Sequence, residues 1–517
     1  MVQYLPVGEI SLYFALNFIF LFYSSYRVFS YGKLIYKENA EFGFSEGWWI
    51  IGRPKDDMDY EWHNWKNFLI EHAFWYIIHM ILSQMVRLIK QRPSPFFYAA
   101  ISFIFIFTRY GIIMTIAAFA SAFLFYGLSR SASKVIFWAG SSIYLLALNL
   151  LKSDAFFDFL TRHTKLGESE IYEILIVFAW MLLKCISFGI DAIEHRKSRE
   201  SHSDWEFSLE PFMGYVFYFP TLHLGPIMIY SRYRKSLRQE VSEVSTEKIL
   251  IFLRDILLSI FWMVFLEGAL HFFYVNNLQT NENVVSQLDS WALYGFGYLL
   301  GQFFHIKYVI AYGIGMAFAR MDDIDPPRKP KCISRIHLYS DMWKHFDHGL
   351  YEFLFRYIYC ELCAKTSSVG KKLLASLLTF VFIYLWHGFY FYIFIWSLMN
   401  FLCLTVESFA RQISKTPTYR RFIQEHFNQT WEYRWNGALG TLLLVPAVIS
   451  NFFFLASYDV GIIFVQRTFY SGFLHYLCVF GGVICIFFTS EFIKRHEKAY
   501  REQKSRNSSI TREIISQ

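Results

Sequence analysis

Residues 211–230 read PFMGYVFYFPTLHLGPIMIY, an apolar run broken by Pro211, Pro220 and Pro226 and by Gly214 and Gly225. Proline inside a helix removes a backbone hydrogen bond and clashes with the preceding turn, so no single helix covers this stretch. Basic clusters flank it: Arg196, Lys197 and Arg199 before, Arg232, Arg234 and Lys235 after. Short loops rich in Lys and Arg favour the cytosolic side of a membrane. An apolar segment with both ends on one side cannot cross once. Broken backbone at membrane depth is tolerated only where protein or a water-filled cavity satisfies its polar groups. The run is therefore expected to be re-entrant and to line a cavity.

Composition supports a bilayer as solvent. Of 517 residues, 55% are hydrophobic, 21% aromatic and 18% charged, where a soluble domain carries about 25% charged. The net charge of +7, from 49 basic and 42 acidic residues, gathers in short hydrophilic breaks and forms no face. That pattern suits topology signals and argues against nucleic-acid binding. Seven cysteines, an odd number with several inside apolar runs, rule out a disulfide scaffold.

The first apolar run, Ile10 to Tyr26, lacks a basic leader and a small-residue cleavage site and reads as a retained helix. Further runs near the roughly 17–25 residues needed to span cover 67–86, 135–151, 171–190, 249–275, 290–318, 436–456 and 470–492. The tracts 97–127 and 373–408 each suit a pair of helices, broken at Arg109–Tyr110 and at His387–Gly388. The expected fold is an all-α polytopic bundle of about ten to twelve transmembrane helices with re-entrant segments around a central cavity. Phe346 to Tyr359, between Lys344 and the cluster Lys365 to Lys372, is the second re-entrant segment. Basic breaks place both termini in the cytosol, and Asn276 to Ser290, without a basic residue, in the lumen. Residues 1–498 form one membrane domain, and 499–517 a polar, disordered cytosolic tail.

An ionisable group inside a membrane domain is a functional candidate by default. His387 stands in LTFVFIYLWHGFYFYIFIW, where tyrosines are the other ionisable residues nearby. A neutral imidazole is affordable there and still exchanges a proton; the alternative is a buried histidine bonded to a carbonyl. Asp347, in MWKHFDHGLYEFLFRYIY, lies forty residues earlier and reads by periodicity as a polar residue at the start of an amphipathic segment. His345 and His348 with His387 lack the HExxH spacing of a metal site. Cys332, in PPRKPKCISRIH, reads as a free thiol, an acylated cysteine or a thiolate ligand to haem iron. Cys360 and Cys363 form a CxxC pair without a partner pair and read as packing residues.

At MWKHFDHGLYEFLFRYIY, YLWHGFYFY and YVFYFPTLHLGPIMIY, the chain resembles the membrane-bound O-acyltransferase superfamily. Within it, the likeness is to the hedgehog acyltransferase branch of protein-cysteine N-palmitoyltransferases, which carries Asp where many members carry Asn at the position of Asp347. The resemblance implies that His387 is the invariant catalytic histidine and Asp347 the catalytic aspartate. It implies Trp343 as an aromatic gate to the acyl cavity, Lys344 facing coenzyme A, and Asn451 as a polar cavity residue, and it puts His223 among the substrate-binding candidates. It implies a haem b ligand at Cys332. Lys344 departs from the family's arginine, and lysine lacks the planar fork that grips a phosphate. The partners implied are palmitoyl-coenzyme A, a secreted signalling protein with an amino-terminal cysteine, and membrane lipids, in the endoplasmic reticulum membrane or the Golgi. Rival readings are an acyltransferase acting on a peptide serine or a lysophospholipid, and a transporter or silent regulator on the same scaffold. Transporters show inverted repeats, and none is visible.

Overall fold

The computed structural model describes residues 5–39, 43–89, 92–198, 204–364 and 366–516; the basic markers Lys90, Arg199 and Lys365 lie outside them. Apart from an antiparallel pair of two-residue strands, β1 (Phe44–Ser45) and β2 (Lys55–Asp56), the described chain is helical. The helices that matter here are α1 (Val7–Ser30), α2 (Tyr60–Glu71), α3 (Ala73–Leu88), α4 (Pro95–Arg130), α5 (Lys134–Leu151), α6 (Glu168–Ser198) and α7 (Leu209–Val216). They continue with α8 (Thr246–Ala269), α9 (Ser290–Met321), α10 (Tyr339–His345), α11 (His348–Leu354), α12 (Val369–His387), α13 (Phe391–Ile413), α14 (Gln429–Leu455) and α15 (Phe473–Ser516). Side-chain oxygens cap several N-termini, Ser133 on Ile136 N–H and Asn428 on Trp431 N–H among them, as helix starts require.

Among the described residues nine helices are long and apolar enough to span, or ten when the bent pair α2–α3 counts as one span. Two helices account for the difference from the higher expectation. The first, α4, contains Gly111 at φ 77° and ψ 177°, a left-handed conformation that glycine adopts without a Cβ clash. Phe103 and Phe119, about 24 Å apart along a straight helix, bring their rings to 5.2 Å. The two limbs therefore fold back on each other, one residue past the break expected at Tyr110. The second, α9, holds Gln302, His305 and Lys307 and is too polar to pass on composition. At the other expected break α12 ends at His387, with Gly388 at φ 138°. The tail after Ala499 continues α15 to Ser516 where its polar composition suggests disorder.

Helix α6 is the core. In its most apolar 18-residue window 94% is buried, against 6–44% for the other candidate spans, which turn apolar faces to lipid. Against α6 lies the broken segment, and all of 211–230 is buried. Protein groups bond to its backbone directly. Lys184 Nζ donates to Val216 O at 3.2 Å and Thr221 Oγ1 at 3.0 Å, Trp180 Nε1 to Gly225 O at 2.9 Å, and Ser102 Oγ to Phe217 O at 2.6 Å. Ser187 Oγ accepts from Tyr230 N–H at 2.7 Å. A polar side chain inside a spanning helix is costly unless paired, and here the pairing props a re-entrant wedge.

Candidate active site

Helices α10 and α11 meet at Asp347. Its Oδ1 accepts from Leu350 N–H at 2.9 Å, capping α11, and its Oδ2 accepts from Tyr312 OH of α9 at 2.8 Å. The turn is set by a close approach to the wedge: a Cβ at Gly349 would stand 1.9 Å from Ile227 O. His387 ends α12. Its Nδ1 lies 2.9 Å from Ile383 O, and since a carbonyl only accepts, Nδ1 carries the proton and Nε2 is left as the basic nitrogen. The wedge supports this residue as well, through Trp180, whose ring packs 5.5 Å from Trp386, the residue preceding His387.

Both side chains sit deep among neighbours, yet each keeps accessible surface. An aromatic wall joins them: Phe346 stacks on Phe304 at 5.4 Å, Phe304 meets Phe454 at 5.8 Å, and Phe454 meets His387 at 5.3 Å. A second path runs from Trp343 to Trp396 at 5.8 Å and from Trp396 to His387 at 5.5 Å. The ring contacts thus link His387 to Phe346, the residue before Asp347, and no hydrogen bond joins His387 and Asp347 among the described residues.

The other sequence candidates divide. Trp343 starts the second path, its Nε1 held by Asn400 Oδ1 at 3.0 Å. Asn451 lies beside it, accepting from Trp396 Nε1 at 3.4 Å with its Nδ2 3.8 Å from Met342 Sδ. Lys344 makes no ion pair among the described residues, and its carbonyl lies 3.1 Å from His348 Nδ1. His223 is buried, its ring stacks on Phe68 at 4.0 Å, and neither ring nitrogen has a hydrogen-bond partner among the described residues. Cys332 Sγ lies 3.0 Å from Ser334 Oγ and 3.9 Å from Gln302 Oε1, half-buried. These are the surroundings of a free thiol and give no support to an iron ligand. Among the described residues no group of three or more His, Cys, Asp or Glu is placed to hold a metal ion.

The sequence reading passed over Tyr312, Asn400 and Lys307. Asn400 Oδ1 also accepts from Tyr339 OH, so it ties α10 to α13. Lys307, buried, pairs with Asp59 at 3.2 Å and with Glu61. Each stands in an apolar run, and an intramembrane polar residue is itself the signal that could have found them.

The sequence matches the model of the membrane-bound O-acyltransferase family over residues 56–450, a span that contains both Asp347 and His387. This chain belongs to that family. The acyltransferase is 32% identical to protein-cysteine N-palmitoyltransferase Rasp of Drosophila melanogaster over 493 residues, 94% of this chain and 95% of the relative. It is 26% identical to protein-cysteine N-palmitoyltransferase HHAT of Mus musculus over 476 residues, 90% and 94% of the two chains. It is also similar to membrane-bound O-acyltransferase gup1 of Schizosaccharomyces pombe, 23% identical over 423 residues, 72% and 70% of the two. Asn451 of the acyltransferase falls one residue past the family match.

Proposed function

We propose that this acyltransferase moves palmitoyl from palmitoyl-coenzyme A to the α-amine of an amino-terminal cysteine, on secreted signalling proteins of the hedgehog type. Near full-length similarity to two proteins named protein-cysteine N-palmitoyltransferase carries the reading. A chain of ring contacts from His387 to Phe346, the neighbour of Asp347, supports it. The enzyme sits in the endoplasmic reticulum membrane, or the Golgi, with both termini cytosolic. Coenzyme A then comes from the cytosolic side and the acceptor from the lumen.

The thioester is already activated. The amine nitrogen bonds to its carbonyl carbon, the C–S bond breaks, and coenzyme A leaves as a thiol, its sulfur taking up the proton that the amine loses. An α-amine with a pKa of about 7.7–8.0 is partly neutral near pH 7, so the enzyme aligns it and takes the remaining proton. His387 Nε2 is the general base and returns the proton to the departing sulfur, a role worth about 10²–10⁴ in rate. Asp347 holds the amine as a cation before proton loss, and Tyr312 and Leu350 N–H orient the carboxylate for that contact. Trp343 gates the acyl cavity, Asn451 lines it, and Lys344 meets the coenzyme. Aromatic walls bury the acyl chain at about 0.8 kcal/mol per CH₂, which favours a long chain. Haem is no part of this reading.

The test is mass spectrometry of acceptor peptides incubated with purified enzyme and palmitoyl-coenzyme A. A peptide with a free amino-terminal cysteine should gain a hydroxylamine-resistant palmitoyl group, and the same peptide with an acetylated α-amine should gain none. Efficient, hydroxylamine-sensitive acylation of the acetylated peptide would overturn the amide reading and leave a family member acting on hydroxyls or thiols.

A further inference from the structure

A helix leaves its last four carbonyls without intrahelical partners. At the end of α12 those belong to Tyr384, Leu385, Trp386 and His387, and all four are met. Gly388 N–H donates to Tyr384 O at 3.0 Å. Asn149 Nδ2, from the last turn of α5, donates to Leu385 O at 2.7 Å. Lys152 Nζ, one residue beyond α5, lies 2.9 Å from Trp386 O and 3.5 Å from His387 O. One helix end thus grips the backbone of another at the catalytic histidine.

A cation suits this place, because the carbonyl end of a helix carries partial negative charge. Enclosure opposes it: burial pulls the Lys152 ammonium down to about 8. The imidazole turns about the same backbone. Its Nδ1 hydrogen bond to Ile383 O holds only while the final turn of α12 keeps its shape, because Ile383 lies one turn before His387. Fraying of that turn would release the ring and swing Nε2 off the line of the amine.

We propose that Lys152, assisted by Asn149, is a positioning residue for His387, pinning the end of α12 so that Nε2 points into the chamber. This rests on the reading of His387 as general base in the proposed transfer. Lys152 touches no reacting atom; it acts through two carbonyls. A displacement of about 1 Å at a reacting group can cost about 10²-fold, so loss of the grip is expected to appear in turnover.

Two measurements on the full-length enzyme in detergent decide the matter. The first is hydrogen exchange over 380–392, read without substrate: Lys152→Met should exchange faster there than wild type and match it elsewhere, while Lys152→Arg should stay close to wild type. The second is palmitoyl transfer to a cysteine peptide. Lys152→Met should lower kcat by about 10–10²-fold with KM for palmitoyl-coenzyme A within about twofold, and Lys152→Arg should recover most of it. Unchanged exchange in Lys152→Met overturns the proposal, as does faster exchange with wild-type kcat. A general loss of stability with kcat and KM moving together would make Lys152 merely structural and also overturn it. A wild-type enzyme that acylates no cysteine peptide defeats the proposed function instead, and the exchange comparison still decides whether Lys152 holds the turn.

Discussion

The Tyr312 hydroxyl donates to one oxygen of Asp347 at 2.8 Å while Leu350 N–H donates to the other at 2.9 Å. The carboxylate is therefore at once a helix cap and a tie to Tyr312, and substitutions separate these from its proposed role in transfer. Asparagine keeps an oxygen for the cap but gives up the charge. Asp347→Asn should fold, bind palmitoyl-coenzyme A nearly as wild type does, and lose about 10–10² in transfer rate. Asp347→Ala should also lose the cap, at about 1 kcal/mol, and show a lower melting temperature. Equal losses of binding and transfer in Asp347→Asn would make the residue structural.

His387 offers a cleaner subtraction. Its side chain's only hydrogen bond among the described residues is to Ile383 O within its own helix, so alanine strands no side chain. His387→Ala should melt near the wild-type temperature and lose about 10² or more in palmitoyl transfer. Transfer at the wild-type rate in that variant would end its assignment as base.

Glycine spacing gives a prediction about folding. An added Cβ at Gly349 would stand 1.9 Å from the backbone oxygen of Ile227, an atom that cannot swing aside like a side-chain tip. Gly349→Ala should force α11 off the wedge and cost about 1–3 kcal/mol or more, read as reduced yield and lower melting temperature. Gly481→Ala is the control: nothing lies within 4 Å of its added Cβ, and alanine is the better helix former by about 1 kcal/mol. It should be neutral or slightly stabilising.

The spans and breaks were legible because they depend on local properties. Apolar length marks α1, α5 and α8, and Arg109–Tyr110 with His387–Gly388 mark points next to which Gly111 and Gly388 take positive φ. The re-entrant character of 211–230 followed from prolines between basic clusters. What satisfies that backbone was not legible, since Lys184, Trp180 and Ser102 lie 32, 45 and 115 residues from their acceptors. The same holds for the site. His387 advertises itself as an ionisable group in apolar surroundings, Asp347 became a candidate through the family resemblance, and Tyr312 and Asn149 look like ordinary members of long spans. His223, a substrate-binding candidate, lies buried in the wedge against Phe68, a placement that periodicity does not reveal.

Asp56 supplies a pH dependence far from the chemistry. It lies on β2, fully buried, and accepts from Asn276 N–H at 2.8 Å, Asn277 N–H at 3.2 Å, Asn277 Nδ2 at 2.6 Å and Met58 N–H at 3.2 Å. Burial pushes its carboxyl up to about 7 from an ordinary 3.8, although the four donors pull the other way. The folded state then binds a proton that the unfolded chain has released above about 4, so its contribution favours folding at low pH. That contribution is complete below the unfolded pKa and lost as pH rises through about 7. Other ionisable groups lie nearby, Lys55 paired with Glu267 at 3.0 Å among them, so the comparison must be with Asp56→Asn, which cannot titrate. The melting temperature of wild type minus that of Asp56→Asn should grow as pH falls from 8 to about 5. A constant difference would show that the four donors keep Asp56 ionised throughout, with hydrogen bonding outweighing burial at this loop.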